Sequence, residues 1–171
     1  PVWKPELLIA NNPRSFSPPL YGFKTFGELF TNRQLVALTT FSDLIKEAIE
    51  DAKTNSLPSD FPDDKKSLSE GGNGLNAYAE ALGTDLSLGV GRASNRLATL
   101  CIWNRVRLSV EQVFSRQAIA MTWDFAEVNV FSSSTGGWSG TMEYLIAALK
   151  TLPKIGKGTV CQFDAAQKVF N

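Results

Sequence analysis

The sequence predicts an α+β fold, a mainly α-helical segment joined to at least one strand of a Rossmann-like α/β sheet. Two long stretches place apolar residues at helical spacing, and a third does so near the end of the chain. The run KGTVCQFDAA then supplies a glycine turn, the β-rich residues Thr159 to Phe163, and Asp164. A helix, a turn, a strand and an aspartate in this order are typical of doubly wound sheets.

The two long helices are the clearest elements of the pattern. TNRQ, residues 31–34, has the form of a capping box, in which the Thr31 hydroxyl and the Gln34 side chain each bond to the other residue's backbone N–H. The helix that follows is predicted to reach about Lys53. Residues 55–73 are rich in Ser, Pro, Asp, Lys and Gly, which predicts an exposed loop, and a second helix is predicted over 75–97.

The remaining elements are shorter. Residues 99–103 suit a short strand or a turn, and Ser109 is placed to cap a third helix from Val110 to Ala120. Ser139 or Thr141 opens a fourth helix, which must stop before Pro153. Residues 1–30 begin with a proline-rich stretch of little periodicity and read as an extended arm.

Composition excludes several kinds of site. With 171 residues, 43% of them hydrophobic and 20% charged, the chain has the make-up of an ordinary globular domain. No apolar run is long enough for a membrane span, so no membrane partner is predicted. The chain has no His, which excludes His-based triads and His-metal sites, and no metal site is predicted. Its two Cys residues, Cys101 and Cys161, suit small buried residues in a reducing, cytoplasmic compartment.

The formal net charge is zero, but basic residues cluster in the middle of the chain. Such a cluster predicts a surface that faces phosphate, and hence DNA. The alternative is a solvated helix face with scattered arginines. The candidate DNA-binding residues, which have only Glu111 among them, are Arg92, Arg96, Arg105, Arg107 and Arg116.

The run WDFAEVN, residues 123–129, sets two carboxylates among large aromatic side chains. On a helix Asp124 and Glu127 would share a face, where one carboxylate can raise the pKa of the other or hold arginines. Asp124, Glu127 and Asn129 are therefore candidate catalytic residues. The alternative is structural, a salt bridge from this run to Arg33 or Arg116 that fixes how two helices meet.

Two further features lie near the end of the chain. STGGWSG, residues 134–140, suits either a mobile loop with Trp138 as a stacking lid or a plain connection to the fourth helix. Asp164 follows a predicted strand, where α/β folds place a polar contact to a ligand, although an aspartate there is also a common helix cap.

Four blocks of the chain, taken in order, resemble a known family. They are YGFKTFGELFTNRQLVALTTFSDL, YAEAL, RQAIAMTWDFAEVNVF and GTVCQFDAAQ. Together they look like the central to C-terminal part of the large adenine-specific DNA methylases that carry a zinc-ribbon domain. Where that family has Asn-Pro-Phe after the acidic block, this chain has Asn129, Val130 and Phe131.

The resemblance implies a class I methyltransferase that uses S-adenosyl-L-methionine to methylate the exocyclic nitrogen of adenine in DNA. It implies that Asp164 contacts the cofactor adenine. It also implies that the glycine-rich cofactor loop and the zinc ribbon precede Pro1, and that the Asp-Pro-Pro-Tyr motif follows Asn171. The chain would then be an excised piece, inactive alone, whose partners are DNA and the remainder of the parent methyltransferase.

Three regions follow from these expectations. Residues 1–30 are the arm, 31–120 a helical insertion or DNA-facing region with the loop at 55–73, and 121–171 the edge of the methyltransferase α/β domain. The alternative function is a non-enzymatic helical module that binds nucleic acid or a protein through its arginine-rich surface.

Overall fold

The computed structural model describes residues 3–55, 58 and 61–153. In that part of the chain the fold is α+β, with three α-helices and one two-stranded antiparallel sheet. The helices are α1, Asn32–Thr54, α2, Leu75–Ser94, and α3, Trp138–Thr151. The strands are β1, Trp103–Asn104, and β2, Ser109–Val110, and two short 3-10 helices lie at Pro18–Tyr21 and Phe26–Leu29.

The capping box confirms the predicted start of α1. Thr31 Oγ1 accepts from the Gln34 N–H at 3.2 Å, and Gln34 Oε1 accepts from the Thr31 N–H at 2.8 Å. Both bonds satisfy N–H groups that the first turn of a helix leaves without partners. The helix therefore begins where its sequence signal lies and ends within one residue of the predicted Lys53.

Helix α2 packs against both other helices through glycines. A Cβ atom at Gly83 would collide with the Ile49 side chain of α1, and one at Gly89 would collide with Met142 of α3. Glycine lowers intrinsic helix stability but lets two helix backbones approach closely. The small residues of α2 thus perform the packing role predicted for them.

The predicted loop between α1 and α2 is exposed along most of its described length. Asp64 organises its second half by accepting hydrogen bonds from the backbone N–H groups of Asn73 and Lys66. The bond from Asn73, more than that from Lys66, lowers the pKa of the Asp64 carboxyl. Local carboxylate-to-backbone bonds, rather than apolar burial, therefore shape this segment.

The arm at residues 3–30 packs back onto the middle of the chain. Residues Leu8 and Thr25 form an isolated antiparallel bridge, and Phe16 forms a parallel bridge with Ile119. The buried cluster beneath these contacts contains Ile9, Leu29, Leu100 and Ile119. The arm therefore supplies part of the core.

A second buried cluster lies where α2 ends. Its members come from α2, from the chain just after α2, from β2 and from the acidic run: Ala93, Leu97, Ala98, Cys101, Val110 and Val128. Cys101 is fully buried, as predicted, and burial raises the pKa of its thiol. Thr99 connects the two clusters, because its N–H and its hydroxyl both donate to the Leu29 carbonyl.

The predicted third helix, Val110–Ala120, is wrong. Ser109 and Val110 instead form β2 and pair with β1, with Trp103 opposite Val110 and Asn104 opposite Ser109. The N–H groups that follow donate to distant acceptors, Val113 to the Asn95 carbonyl and Phe114 to Asn95 Oδ1. An N–H group committed to a distant acceptor cannot close a helical turn, so tertiary pairing overrides the helical spacing.

The fourth predicted helix is confirmed as α3, which begins at Trp138 and ends before Pro153. The predicted strand, Thr159 to Phe163, together with Asp164 and Cys161, lies outside the described residues. In the ranges 3–55 and 61–153 no helix is long and apolar enough to cross a membrane.

Candidate functional site

The acidic run WDFAEVN lies on irregular chain and does not form the helix on which its two carboxylates would share a face. Its hydrogen bonds are made to distant residues. The Ala126 N–H donates to the Cys101 carbonyl at 2.8 Å. Just before the run, the Thr122 hydroxyl donates to the Leu100 carbonyl at 3.1 Å. Asp124 and Glu127 therefore do not share a helix face.

Glu127 forms a two-point ion pair with Arg33, in the first turn of α1. Arg33 Nη2 donates to Glu127 Oε2 at 2.6 Å, and Nε donates to Oε1 at 3.3 Å. The hydrogen bond and the charge of Glu127 both raise the pKa of the Arg33 guanidinium. This pairing is the structural role that the sequence left open for the acidic run, with Arg33 and not Arg116 as the partner.

The other two candidate catalytic residues, Asn129 and Asp124, differ in their hydrogen bonding. Asn129 Oδ1 accepts from the Phe131 N–H at 3.0 Å, and the Asn129 carbonyl accepts from Ser132, so Asn129 shapes the turn that leads to the serine loop. Asp124 is exposed and forms no hydrogen bond or ion pair with the described residues. Of the two carboxylates in the run, that of Glu127 is paired with Arg33, and that of Asp124 has no partner among the described residues. Asp124 is therefore the carboxylate available to a ligand.

An open groove of about 710 Å³ separates α1 from this run. Its volume lies within the range of about 300–1,000 Å³ that is typical of small-molecule sites. Glu127 and Asn129 lie at one side, and the rest of the wall is mainly apolar, including Val36, Phe41 and Phe131. Gln34 also lines the groove, and its buried Nε2 has no hydrogen-bond partner among the described residues.

Three large aromatic side chains, two in the run and one just after it, are exposed. Trp123 is 75% exposed and Phe131 is 88% exposed, and Phe125 is also solvent-accessible. Tyr21 meets the Trp123 ring edge to face, with 4.9 Å between the ring centroids. Trp123 is therefore held in position by one neighbour and keeps much of its surface open for stacking.

The candidate DNA-binding arginines fall into two groups. Arg92, near the end of α2, and Arg96, in the turn that follows α2, are both half-buried and line one small cavity. Arg105 and Arg107 are exposed at the turn between β1 and β2. Arg107 Nη1 lies 3.6 Å from Glu111 Oε1, which makes an ion pair. Arg116 is exposed on the irregular chain beyond β2.

Trp138 opens α3 and stacks on Phe41 of α1, with 4.2 Å between ring centroids and 9° between the ring planes. Its ring also packs against the second buried cluster. STGGWSG is thus the plain connection to the helix, and Trp138 is a packing residue of α1 and α3.

Sequence reasoning did not single out Gln34 as an unpaired donor, nor Tyr144, whose ring lies under the Arg92 guanidinium. Tyr144 carries no local signal, because it meets Arg92 only once α2 and α3 are packed together. For Gln34 the signal was present in the sequence. The capping box uses the side-chain Oε1 as an acceptor and gives the Nε2 donor no partner.

Comparison with protein-family models, with curated proteins and with solved structures found no match to this chain.

Proposed function

We propose that this chain is part of an S-adenosyl-L-methionine-dependent DNA adenine-N6 methyltransferase. It contributes a DNA-facing helical region and part of the pocket for the cofactor and the target base. It is inactive alone and acts in the cytoplasm, with DNA and the remainder of the parent enzyme as its partners.

The observation that carries this proposal is the exposure of aromatic and acidic side chains in the run 123–129 and at Phe131 just after it. An adenine amino group inside a duplex is out of reach, so the base must be extruded and held by stacking and by edge hydrogen bonds. Trp123 and Phe131 offer open ring surface, and Asp124 offers a carboxylate that has no partner among the described residues. The ion pair between Arg33 and Glu127 anchors the run to α1.

Helix α3 supports the second half of the proposal, the edge of a Rossmann-like sheet. Ile146 and Leu149 are exposed apolar side chains of α3, and Leu152, the residue after its end, is also exposed. Helices of α/β folds bury such a face against the sheet. The predicted strand at 159–163 follows α3 along the chain, and Asp164 is the residue that we assign to the cofactor adenine.

The test is methyl transfer by the protein expressed from its complete reading frame. Labelled S-adenosyl-L-methionine and duplex DNA should yield N6-methyladenine, and the 171-residue chain should yield none. We expect Asp124→Asn to lower turnover while the melting temperature stays unchanged. Glu47→Gln, which alters an exposed carboxylate on α1, is the matched control. A complete protein without cofactor-dependent methylation would contradict the proposal.

A second candidate function is a non-enzymatic interaction module. The apolar groove beside α1 favours it, because its walls suit a partner side chain as well as a base. Cofactor dependence separates the two functions, since a binding module gives DNA or protein binding that S-adenosyl-L-methionine does not alter.

A further inference from the structure

A small cavity lies between α2 and the chain that leads into α3. Arg92 lines it from α2, Arg96 lines it from the turn just after α2, and residues 133–136 line it from the serine-rich loop. Its volume is about 160 Å³. A water molecule occupies roughly 30 Å³ of liquid and drug-sized sites begin near 300 Å³, so this cavity has the size for a small ion with its waters.

The two guanidinium groups are held in place but keep unused donors. The Arg92 guanidinium carbon lies 4.3 Å from the centroid of the Tyr144 ring, a cation–π contact that leaves its N–H edges free. Arg96 Nε donates to the Val110 carbonyl at 3.2 Å, which positions the side chain and leaves both Nη groups available. Glu143 lines the same cavity but forms no ion pair with either arginine.

The facing wall adds neutral donors. Gly137 precedes α3 and has no side chain to cap it, and in the described residues no backbone acceptor takes the Gly140 N–H. The hydroxyls of Ser133 and Thr135 also have no hydrogen-bond partner among the described residues. Two guanidinium groups that form no ion pair with the described residues, together with N–H and O–H donors, form an environment suited to an oxyanion.

We propose that this cavity binds a single phosphate group, held by Arg92 and Arg96 with help from the Ser133 and Thr135 hydroxyls. The assignment of that phosphate to the backbone of a DNA strand rests on the proposed function. Phosphate binding itself does not, because it needs neither cofactor nor methyl transfer. The three exposed arginines, Arg105, Arg107 and Arg116, lie outside the cavity and provide at most diffuse attraction.

The test is calorimetric titration of the 171-residue chain with inorganic phosphate, at constant ionic strength set by chloride. We expect saturable binding that weakens about tenfold or more in Arg92→Gln, because a charge-assisted hydrogen bond is lost. Arg116→Gln removes the same charge outside the cavity and should change the affinity less than about twofold. Absence of saturable binding, or equal weakening by the two variants, would overturn the proposal.

Two further variants keep the test decisive. Arg92→Lys retains the charge and should bind phosphate more tightly than Arg92→Gln, since the ammonium group still attracts the anion. Thr135→Ala removes a loop hydroxyl without touching the arginines, and it tests the cavity even if Arg92→Gln fails to fold. Unaltered affinity in both Thr135→Ala and Ser133→Ala would exclude the loop from the site.

The source of the phosphate is resolved by competition. A short DNA duplex without terminal phosphates should displace inorganic phosphate if the cavity takes a phosphodiester, and Arg92→Gln should weaken both ligands. Displacement by a nucleoside monophosphate but not by the duplex would identify a monoester site and remove the link to DNA. Phosphate binding in a protein that does not methylate DNA would preserve this inference and refute the proposed function.

Discussion

The helical pair α1 and α2 and the chain at residues 95–131, which is irregular apart from the two-residue strands β1 and β2, are stabilised in different ways. The helices rely on bonds between near neighbours, such as the capping box of Thr31 and Gln34. The irregular chain relies on partners far along the sequence, such as Ser15 for Ile119 and Cys101 for Ala126. It follows that the candidate functional run is positioned by contacts with the tertiary core, and that hydrogen bonds between near neighbours contribute little to its conformation.

The largest expected effect tests that dependence on the core. Leu97 is 1% exposed at the centre of the second cluster, so Leu97→Ala should lower the free energy of unfolding by about 3 kcal/mol through lost burial and a cavity. Denaturant unfolding measures the loss. Leu88→Ala, at an exposed position of α2, should stay within about 0.5 kcal/mol. Comparable losses in the two variants would remove the contrast between the regions.

The next effect concerns one residue that ties the end of α2 to the irregular chain. Asn95 Oδ1 accepts from the Phe114 N–H at 2.6 Å, so Asn95→Ala should destabilise the fold by about 1.5 kcal/mol, because that N–H loses its partner. Thermal unfolding gives the value. Asn95→Asp keeps an acceptor oxygen and should recover most of the loss. Failure of Asp to rescue would mean that side-chain packing, and not the bond, matters here.

A smaller effect is expected at the local signal that begins α1. Thr31→Ala removes the acceptor for the Gln34 N–H and should cost about 1 kcal/mol. Thr31→Ser keeps the hydroxyl and should be close to the parent chain in its melting temperature. Amide hydrogen exchange sharpens the comparison, because faster exchange should be confined to the first turn of α1. Uniformly faster exchange would show that the capping box controls both regions.

The smallest effect on stability is expected at the ion pair that links the two regions. Arg33 is 79% exposed at its side chain, and exposed ion pairs are screened by solvent. Glu127→Gln should therefore change stability less than Thr31→Ala does, as measured by thermal unfolding. Its effect on methyl transfer by the complete protein is the informative readout. A fall in turnover with stability unchanged would give Glu127 a role beyond anchoring.

Several features could be predicted because their causes are local. The capping box at Thr31, the stop before Pro153 and the small residues of α2 each act within a few residues or through their own size. The pairing of Arg33 with Glu127 was among the predicted alternatives, since an acidic run needs basic partners. The choice of Arg33 over Arg116 depended on the folded chain.

The sequence by itself determined three helices and an exposed loop, because helical periodicity and turn composition are short-range properties. Only the tertiary structure decided that 110–120 and 123–129 are not helical. In both runs distant carbonyls and side chains accept the N–H bonds, and no local pattern records such partners. The same reason explains the Arg92 and Arg96 cavity, which exists only where α2, α3 and the serine loop meet.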